Sequence, residues 1–189
     1  ALPESRGQGR EARLGFLGDG GTGDINQRLV RDALLRHVPQ FVLLLGDNIY
    51  NNGVGRGIQK VFEEPFADLL AEGVQFHAVL GNHDIRRGTE LQINYPAWNM
   101  GGQRFYAFSK GDRLIEFFGL DSTALSEEAA SLEIVEKAQL DKERADLERK
   151  QTLSASDQQR LASINEEVGE NVAFINEQTA VTNSQLVWL

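Results

Sequence analysis

Residues 41–50 read Phe-Val-Leu-Leu-Leu-Gly-Asp-Asn-Ile-Tyr and indicate the fold class of the chain. Five consecutive apolar residues, Phe41 to Leu45, are typical of a strand that is buried on both faces, as in a parallel sheet. The run stops at Gly46-Asp47, where glycine permits a sharp turn and a carboxylate follows. A buried strand that ends in this way predicts an α/β domain with polar groups at the carboxyl edge of its sheet.

The same pattern of apolar residues, glycine and an oxygen-bearing side chain occurs twice more. It appears as Leu17-Gly18-Asp19-Gly20 and as Leu80-Gly81-Asn82-His83. One such strand end is weak information, because turns often have this composition. Three in one sheet would bring Asp19, Asp47 and Asn82 to a single edge, where their oxygens suit hard metal ions.

The segments around these motifs alternate between strand and helix patterns. Apolar spacing and an N-cap at Asp24 predict a helix that continues to His37. The remaining predictions are strands over residues 13–18 and 74–80, a helix over 59–71, and a hairpin of strands 105–109 and 113–120 joined by the turn 110–112.

From about residue 122 the sequence becomes charged and predicts two long helices. The first covers residues 127–150, and the second begins at Ser154, with Asp157 completing a capping box. An apolar stripe on the second helix is expected to face a looser set on the first; the stripe is Leu161, Ile164, Val168, Val172 and Ile175, and the set is Leu132, Val135, Ala138, Leu140 and Leu147. We therefore expect a helical hairpin with its tip near residues 151–156 and a solvated charged face.

Composition excludes several classes of protein. The formal net charge is −9 and the pI is about 4.9, which disfavours binding to nucleic acid or to an anionic membrane surface. The chain has no cysteine, so disulfides and thiolate metal sites are excluded. The longest apolar runs, such as residues 41–45, are too short to span a bilayer.

The three motifs resemble the first three motifs of the calcineurin-like metallophosphoesterases, and most of all those of the purple, tartrate-resistant acid phosphatases. The likeness is carried by residues 18–21, 43–54 (LLLGDNIYNNGV), 81–84, 92–98, 120–122 and 185–189. It implies an α/β fold, part of a four-layer α/β/β/α metallophosphoesterase sandwich. Residues 1–12 would be a flexible N-terminus, 13–125 the N-terminal half of the domain, 126–182 an inserted helical hairpin and 183–189 the start of a helix that returns to the domain.

The resemblance also implies a site with two metal ions. Asp19 would bind the first metal, Asp47 would bridge both, and Asn82 would bind the second. Most of the superfamily has Asp-x-His at the first motif, but position 21 is glycine here. Tyr50 stands where purple acid phosphatases place a tyrosinate on ferric iron, so the implied pair is Fe(III) with Fe(II), Zn(II) or Mn(II).

Other residues near the motifs have candidate roles as well. His83 resembles the histidine that contacts the phosphate or protonates the leaving alcohol, and Asp84 is expected to hold its imidazole. Asn48 is a candidate for substrate contact or for local capping. We expect structural roles for Asp24 and Asp121, because the family does not use them as ligands, and for His37 and His77, because they match no family motif.

The sequence departs from the family in its histidines. The family's later Gly-His and Gly-His-x-His motifs are missing, and all three histidines precede residue 84. The chain is therefore expected to be an incomplete portion of a longer protein, with an incomplete ligand set and no activity by itself.

The expected reaction is metal-dependent hydrolysis of small phosphate monoesters. A phosphodiesterase or nucleotide hydrolase of the same chemistry is the alternative among enzymes. A non-catalytic binding or scaffold module is the alternative outside them. The helical hairpin is a candidate for a lid or for self-association, no nucleic-acid or membrane partner is expected, and the resemblance favours a periplasmic or secreted location.

Overall fold

The computed structural model of the chain describes residues 12–125 and 127–189, with side chains described outside residues 126–132. These residues form two compact units, the first ending at Asp121 and the second beginning at Ser122. Apart from Ala12, the predicted flexible N-terminus lies outside the described residues.

A three-stranded parallel sheet forms the centre of the first unit. Its strands are β1 (Leu14–Leu17), β2 (Phe41–Leu44) and β3 (Gln75–Ala78), in the order β1-β2-β3. The middle strand β2 hydrogen-bonds to a neighbour on each side, and its Val42 is fully buried. The predicted α/β class with a parallel sheet is confirmed, and all three motif strands point their carboxyl ends to one edge.

Helix α1 (Ile25–His37) connects β1 to β2 and begins as the sequence predicts. The Asp24 carboxylate accepts hydrogen bonds from the backbone N–H groups of Asn26 and Gln27, which confirms its role as N-cap. The helix ends at Val38, which adopts a left-handed conformation. Asp24 ends the loop that carries Asp19 and Gly21, and α1 begins at the next residue.

The single helix predicted over residues 59–71 is wrong. The structure has a π-helical turn at Gln59–Glu63, a break at Pro65, and a short helix α2 (Ala67–Ala71). Proline lacks the N–H that a continuous helix needs, and its ring clashes with the carbonyl four residues earlier. Phe62 and Phe66 are both buried in the core, where Phe62 packs edge-on to Phe76 at 4.9 Å between ring centroids.

The rest of the first unit returns to the sheet through short elements. They are a 3-10 turn at Asp84–Arg86, helix α3 (Thr89–Ile93), a 3-10 turn at Pro96–Trp98, and the antiparallel strands β4 (Tyr106–Lys110) and β5 (Ile115–Gly119). The predicted hairpin is confirmed, with its turn moved to residues 111–114. Asp121 forms a buried ion pair with Arg104 at 2.6 Å, which agrees with a structural role.

The second unit consists of helices α4 (Ser122–Leu125), α5 (Glu127–Glu148) and α6 (Ala155–Trp188). The predicted capping box of Ser154 and Asp157 is confirmed. Leu140 and Ile164 are buried as expected, but the predicted positions of Val135 and Val172 in the facing stripes are wrong, because both are exposed.

Helix α6 runs without interruption through residues 182 and 183, so the expected change of element at that point is absent. Within the described part of the chain, none of the helices has the length and apolar character needed to cross a membrane.

Candidate metal centre

Three loops follow the carboxyl ends of the parallel strands. The first loop comprises residues 18–24, the second loop residues 45–58, and the third loop residues 79–88 with its 3-10 turn. Because the strands are parallel and adjacent, the loops emerge side by side at one sheet edge. Every residue predicted for the site lies in one of these loops.

Backbone hydrogen bonds join the first loop to the second. The N–H groups of Asp19 and Gly21 donate to the carbonyl oxygens of Gly46 and Asp47 at 3.1 and 3.0 Å. The N–H of Tyr50 in turn donates to the carbonyl of Gly21 at 3.0 Å. Asp19, Asp47 and Tyr50 are therefore positioned by backbone pairing as well as by side-chain contacts.

Two glycines allow the close approach of the loops. A Cβ atom at Gly21 would lie 2.2 Å from the Asn48 carbonyl carbon and oxygen, so no side chain fits at position 21. A Cβ at Gly81 would lie 2.3 Å from Asp47 Oδ1. The backbone packing thus excludes a histidine at position 21. Tyr50, whose N–H donates to the Gly21 carbonyl, lies at this contact between the loops.

The two predicted carboxylates meet at one phenol. Tyr50 Oη lies 3.0 Å from Asp19 Oδ1 and 2.9 Å from Asp47 Oδ2. Burial, followed by the hydrogen bonds and negative charges of both carboxylates, raises the pKa of Tyr50 above its ordinary value. The phenol has one proton for two acceptors, so the cluster gathers more acceptor oxygens than it has protons.

His83 is held next to this cluster by the second loop. Its Nδ1 lies 2.5 Å from the carbonyl oxygen of Asn51, and its ring packs 4.7 Å from the Tyr50 ring between centroids. A carbonyl oxygen only accepts, so Nδ1 carries a proton and Nε2 is left to interact with another group. The backbone N–H of His83 also donates to Asp47 Oδ1 at 3.1 Å.

Asp84 does not orient the His83 imidazole, and that prediction is wrong. Its fully buried carboxylate accepts four N–H groups of the loops and of α3. Oδ2 accepts from the backbone of Asn48 and Gly81 at 3.0 and 2.9 Å, and Oδ1 from the backbone of Ile49 and the Gln92 amide at 3.0 and 2.8 Å.

These bonds make Asp84 the clamp between the second and third loops. Burial raises the pKa of Asp84, and the four hydrogen bonds oppose that effect. Because both oxygens accept two bonds each, the site is shaped for a carboxylate without a proton. Among the described residues, the Asp84 side chain forms no hydrogen bond with the side chains of Asp19, Tyr50 or His83, so its place in this structure is that of a residue that positions the loops.

Asn48 and Gln92 complete this buried network. The Asn48 amide donates to the Val79 carbonyl at 2.8 Å and to Gln92 Oε1 at 3.2 Å, which uses both of its protons. This geometry argues against the predicted substrate contact of Asn48. The sequence analysis did not assign Gln92 a role. The sequence pointed to Gln92 only as part of the segment 92–98. An uncharged side chain gives no indication in the sequence that it hydrogen-bonds to the Asp84 carboxylate.

Asn82 is exposed in the third loop, between Gly81, where an added Cβ would collide with Asp47 Oδ1, and His83, whose backbone N–H donates to the same oxygen. Its side-chain amide forms no hydrogen bond with the described residues. An amide oxygen in this position is available to a ligand.

The donor set fits a hard cation, although it is small. Among residues 12–125 and 127–189, no group of three or more His, Cys, Asp or Glu side chains is arranged to hold a metal ion. The oxygens present come from two carboxylates, a phenol and an amide, which hard cations prefer. Within the described part of the chain, neither Asp19 nor Asp47 forms an ion pair that would neutralise it.

Comparison with known proteins gives consistent matches. The family model described as calcineurin-like phosphoesterase matches residues 13–173. This range includes α5 and part of α6, which the sequence resemblance had left uncovered. Tartrate-resistant acid phosphatase type 5 of Sus scrofa is 30% identical over 96 residues, which are 45% of this chain and 28% of that protein.

Plant and other mammalian proteins match in the same way. Purple acid phosphatase 7 of Arabidopsis thaliana is 30% identical over 131 residues, covering 62% of this chain and 39% of that protein. Tartrate-resistant acid phosphatase type 5 of Oryctolagus cuniculus is 37% identical over 59 residues, covering 29% of this chain and 18% of that protein. The matched part of the chain spans less than half of the length of each of these relatives, from 18% to 39%.

Proposed function

Because the chain belongs to the calcineurin-like phosphoesterase family, we propose that its three loops form part of a two-metal centre for the hydrolysis of small phosphate monoesters. The observation that carries this proposal is the meeting of Asp19, Asp47 and Tyr50 at 2.9 and 3.0 Å. The two carboxylates share one phenol proton and have no neutralising cation among the described residues. Their negative charges therefore attract a cation strongly.

Each oxygen group has a distinct place in the proposed centre. Asp19 and Tyr50 would hold a first cation, Asp47 would contact both, and Asn82 would hold the second through its amide oxygen. A phenolate suits Fe(III), and the second position would take Fe(II), Zn(II) or Mn(II). When bound, such a pair polarises the phosphoryl group and lowers the pKa of water.

His83 supplies the proton chemistry of this proposal. With Nδ1–H donated to the Asn51 carbonyl, Nε2 of His83 would face the substrate, and the doubly protonated imidazolium would pass its Nε2 proton to the leaving alcohol oxygen and keep the Nδ1 proton. The clamp of Asp84 and Gln92 keeps Asn48 and Ile49 in place, and these residues precede Tyr50 in the second loop.

Asp47 and Asn82 are two ligands, fewer than the four of an ordinary protein-bound zinc ion. We propose that further ligands of the second cation come from residues outside this sequence. We also propose that the first unit is part of the four-layer sandwich of the family and that the helical pair is an insertion in it. The helical pair would serve as a lid or as a surface for self-association.

Metal titration of the purified chain tests the ligand assignment. We expect the chain to bind the first cation at micromolar concentrations, and Asp47→Asn to abolish that binding, as followed by calorimetry. Asp112→Asn is the matched control, because Asp112 is an exposed carboxylate in the β4–β5 turn and asparagine tolerates its left-handed backbone. Unchanged metal stoichiometry in Asp47→Asn contradicts the proposal.

A test of the reaction class needs a protein that contains this chain together with the remaining metal ligands. p-Nitrophenyl phosphate and bis-p-nitrophenyl phosphate separate the alternatives. The proposal expects faster hydrolysis of the monoester, a phosphodiesterase reverses that order, and a scaffold hydrolyses neither with both metals bound.

A further inference from the structure

A groove opens beside the candidate metal centre on the side of the second loop. It has a volume of about 610 Å³ and is lined by Thr22, Tyr50, Asn51, Asn52, Gly55 and Arg56. This volume lies within the range of small-molecule sites, roughly 300–1,000 Å³. Tyr50 belongs both to the groove and to the carboxylate cluster, so a ligand in the groove reaches the proposed reacting centre.

The groove lining differs in charge from the rest of the protein. The chain has a net charge of −9, yet the lining residues that the structure describes include a guanidinium and no carboxylate. Arg56 is exposed and forms no ion pair with any described residue. An arginine left unpaired in an acidic protein, and facing a cavity, is available to bind an anion through bidentate hydrogen bonds.

The backbone of the second loop fixes where Arg56 lies. A Cβ atom at Gly55 would lie 1.7 Å from the Tyr50 carbonyl oxygen, so the loop folds directly back onto Tyr50. A Cβ at Gly23 would lie 3.8 Å from Arg56 Cδ, which places the Arg56 stem beside the first loop. The guanidinium is therefore carried by a tight turn of the second loop, on the side where that loop lies beside the first loop.

Asn52 adds a neutral donor to the same groove. Its Oδ1 accepts the N–H of Gly55 at 3.3 Å, while its amide protons form no hydrogen bond with the described residues. A charged fork and an amide are the groups that commonly bind phosphate oxygens.

We propose that Arg56, with Asn52, binds a second phosphate of the substrate while the phosphate to be cleaved lies at the carboxylate cluster. This inference rests on the proposed function. It narrows the substrate class from phosphate monoesters in general to compounds with two phosphates, either phosphoanhydrides or esters whose alcohol carries another phosphate.

The test measures binding of three non-hydrolysable probes to the Zn²⁺-loaded chain by calorimetry. Phenylphosphonate has one phosphonate, methylenediphosphonate has two adjacent ones, and propane-1,3-diphosphonate has two separated ones. The variants are Arg56→Ala and Arg56→Lys, with Arg28→Ala as the matched control, since Arg28 is an exposed arginine on α1 outside the groove. Circular dichroism verifies that each variant is folded.

We expect Arg56→Ala to weaken one or both diphosphonates by about 10-fold or more and phenylphosphonate by less than about 2-fold, because charged hydrogen bonds contribute strongly only to the second phosphonate. Arg56→Lys should restore part of the loss, and Arg28→Ala should change nothing. Preference for methylenediphosphonate assigns phosphoanhydrides, and preference for the longer probe assigns bisphosphorylated esters.

Equal losses for all three probes, or no loss, overturn the assignment of Arg56. Failure of the proposed function has a different signature. If Asp47→Asn leaves phenylphosphonate binding unchanged while Arg56→Ala still weakens a diphosphonate, the metal centre is wrong and the anion site stands.

Discussion

The loops at the carboxyl edge of the sheet and the helical pair α5 and α6 use carboxylates in opposite ways. In the loops, the fully buried Asp84 accepts four N–H groups, three of them from the backbone. In the helices, Glu143 and Arg160 form a two-fold contact at 2.8 Å on the exposed surface.

The buried and the exposed carboxylate differ in how strongly each one fixes the surrounding structure. A buried carboxylate with four donors fixes the relative positions of three chain segments, and its loss leaves those donors without partners. An exposed ion pair is screened by water and contributes little to stability. The loops therefore have one arrangement that suits a catalytic site, whereas the helical surface tolerates exchange of its charges.

The largest expected effect comes from breaking the clamp with Asp84→Asn. Asparagine has one acceptor oxygen, so two of the four donors lose their partner and the new NH₂ group faces them. We expect the free energy of unfolding to fall by about 3–5 kcal/mol. Urea unfolding followed by Trp98 fluorescence in a Trp188→Phe background measures it, because Trp98 is buried in the first unit. A loss below about 1 kcal/mol contradicts the clamp.

A second test uses a buried titratable group that, unlike Asp84, has no hydrogen-bond partner among the described residues. His77 on β3 is buried and stacks on Phe108 at 3.8 Å, and neither ring nitrogen has a hydrogen-bond partner among the described residues. Burial, together with the charge of Lys110, lowers the pKa of His77 to about 4. The unfolded chain binds this proton first as the pH falls.

Stability from neutral His77 is thus complete above about pH 6.5 and lost as the pH falls towards 4. The loss reaches up to about 3 kcal/mol, from 1.36 kcal/mol per pKa unit. His77→Phe keeps the stacking and removes the titration. The difference in unfolding free energy between the two proteins should therefore change over this pH range. A constant difference contradicts the account.

The smallest effect is expected on the helical surface. Glu143→Ala removes the exposed contact with Arg160, and we expect the denaturation midpoint followed by helical circular dichroism to stay within measurement error. A loss comparable to that of Asp84→Asn would remove the distinction between the two regions.

The sequence allowed prediction of those parts of the fold that depend on local chemistry. The buried run of β2, the cap at Asp24 and the box at Ser154 all rest on neighbouring residues, and the structure has each of them. The helix over residues 59–71 failed because apolar spacing was given more weight than Pro65. The stripes on α5 and α6 failed at Val135 and Val172, because spacing alone does not establish which face is covered.

The site was predictable to the level of residue types at strand ends. Asp19, Asp47 and Tyr50 meet because the adjacent parallel strands β1 and β2 end at the same edge of the sheet. The partners of Asp84 were not predictable, because they include backbone groups of a loop 35 and 36 residues earlier in the chain. Arg56 was missed for the same reason, since only the folding of Gly55 onto Tyr50 brings it to the groove.

The central claim is that Tyr50 and the two carboxylates bind a ferric ion together. The most direct measurement is the visible absorption spectrum of the chain titrated with Fe(III), with Tyr50→Phe and Tyr95→Phe compared in parallel. Tyr95 is the matched control, because its hydroxyl contacts Glu63 outside the site. The account predicts a tyrosinate-to-iron band in the wild type and in Tyr95→Phe that is absent in Tyr50→Phe. A band that persists in Tyr50→Phe, or its absence in the wild type with iron bound, contradicts it.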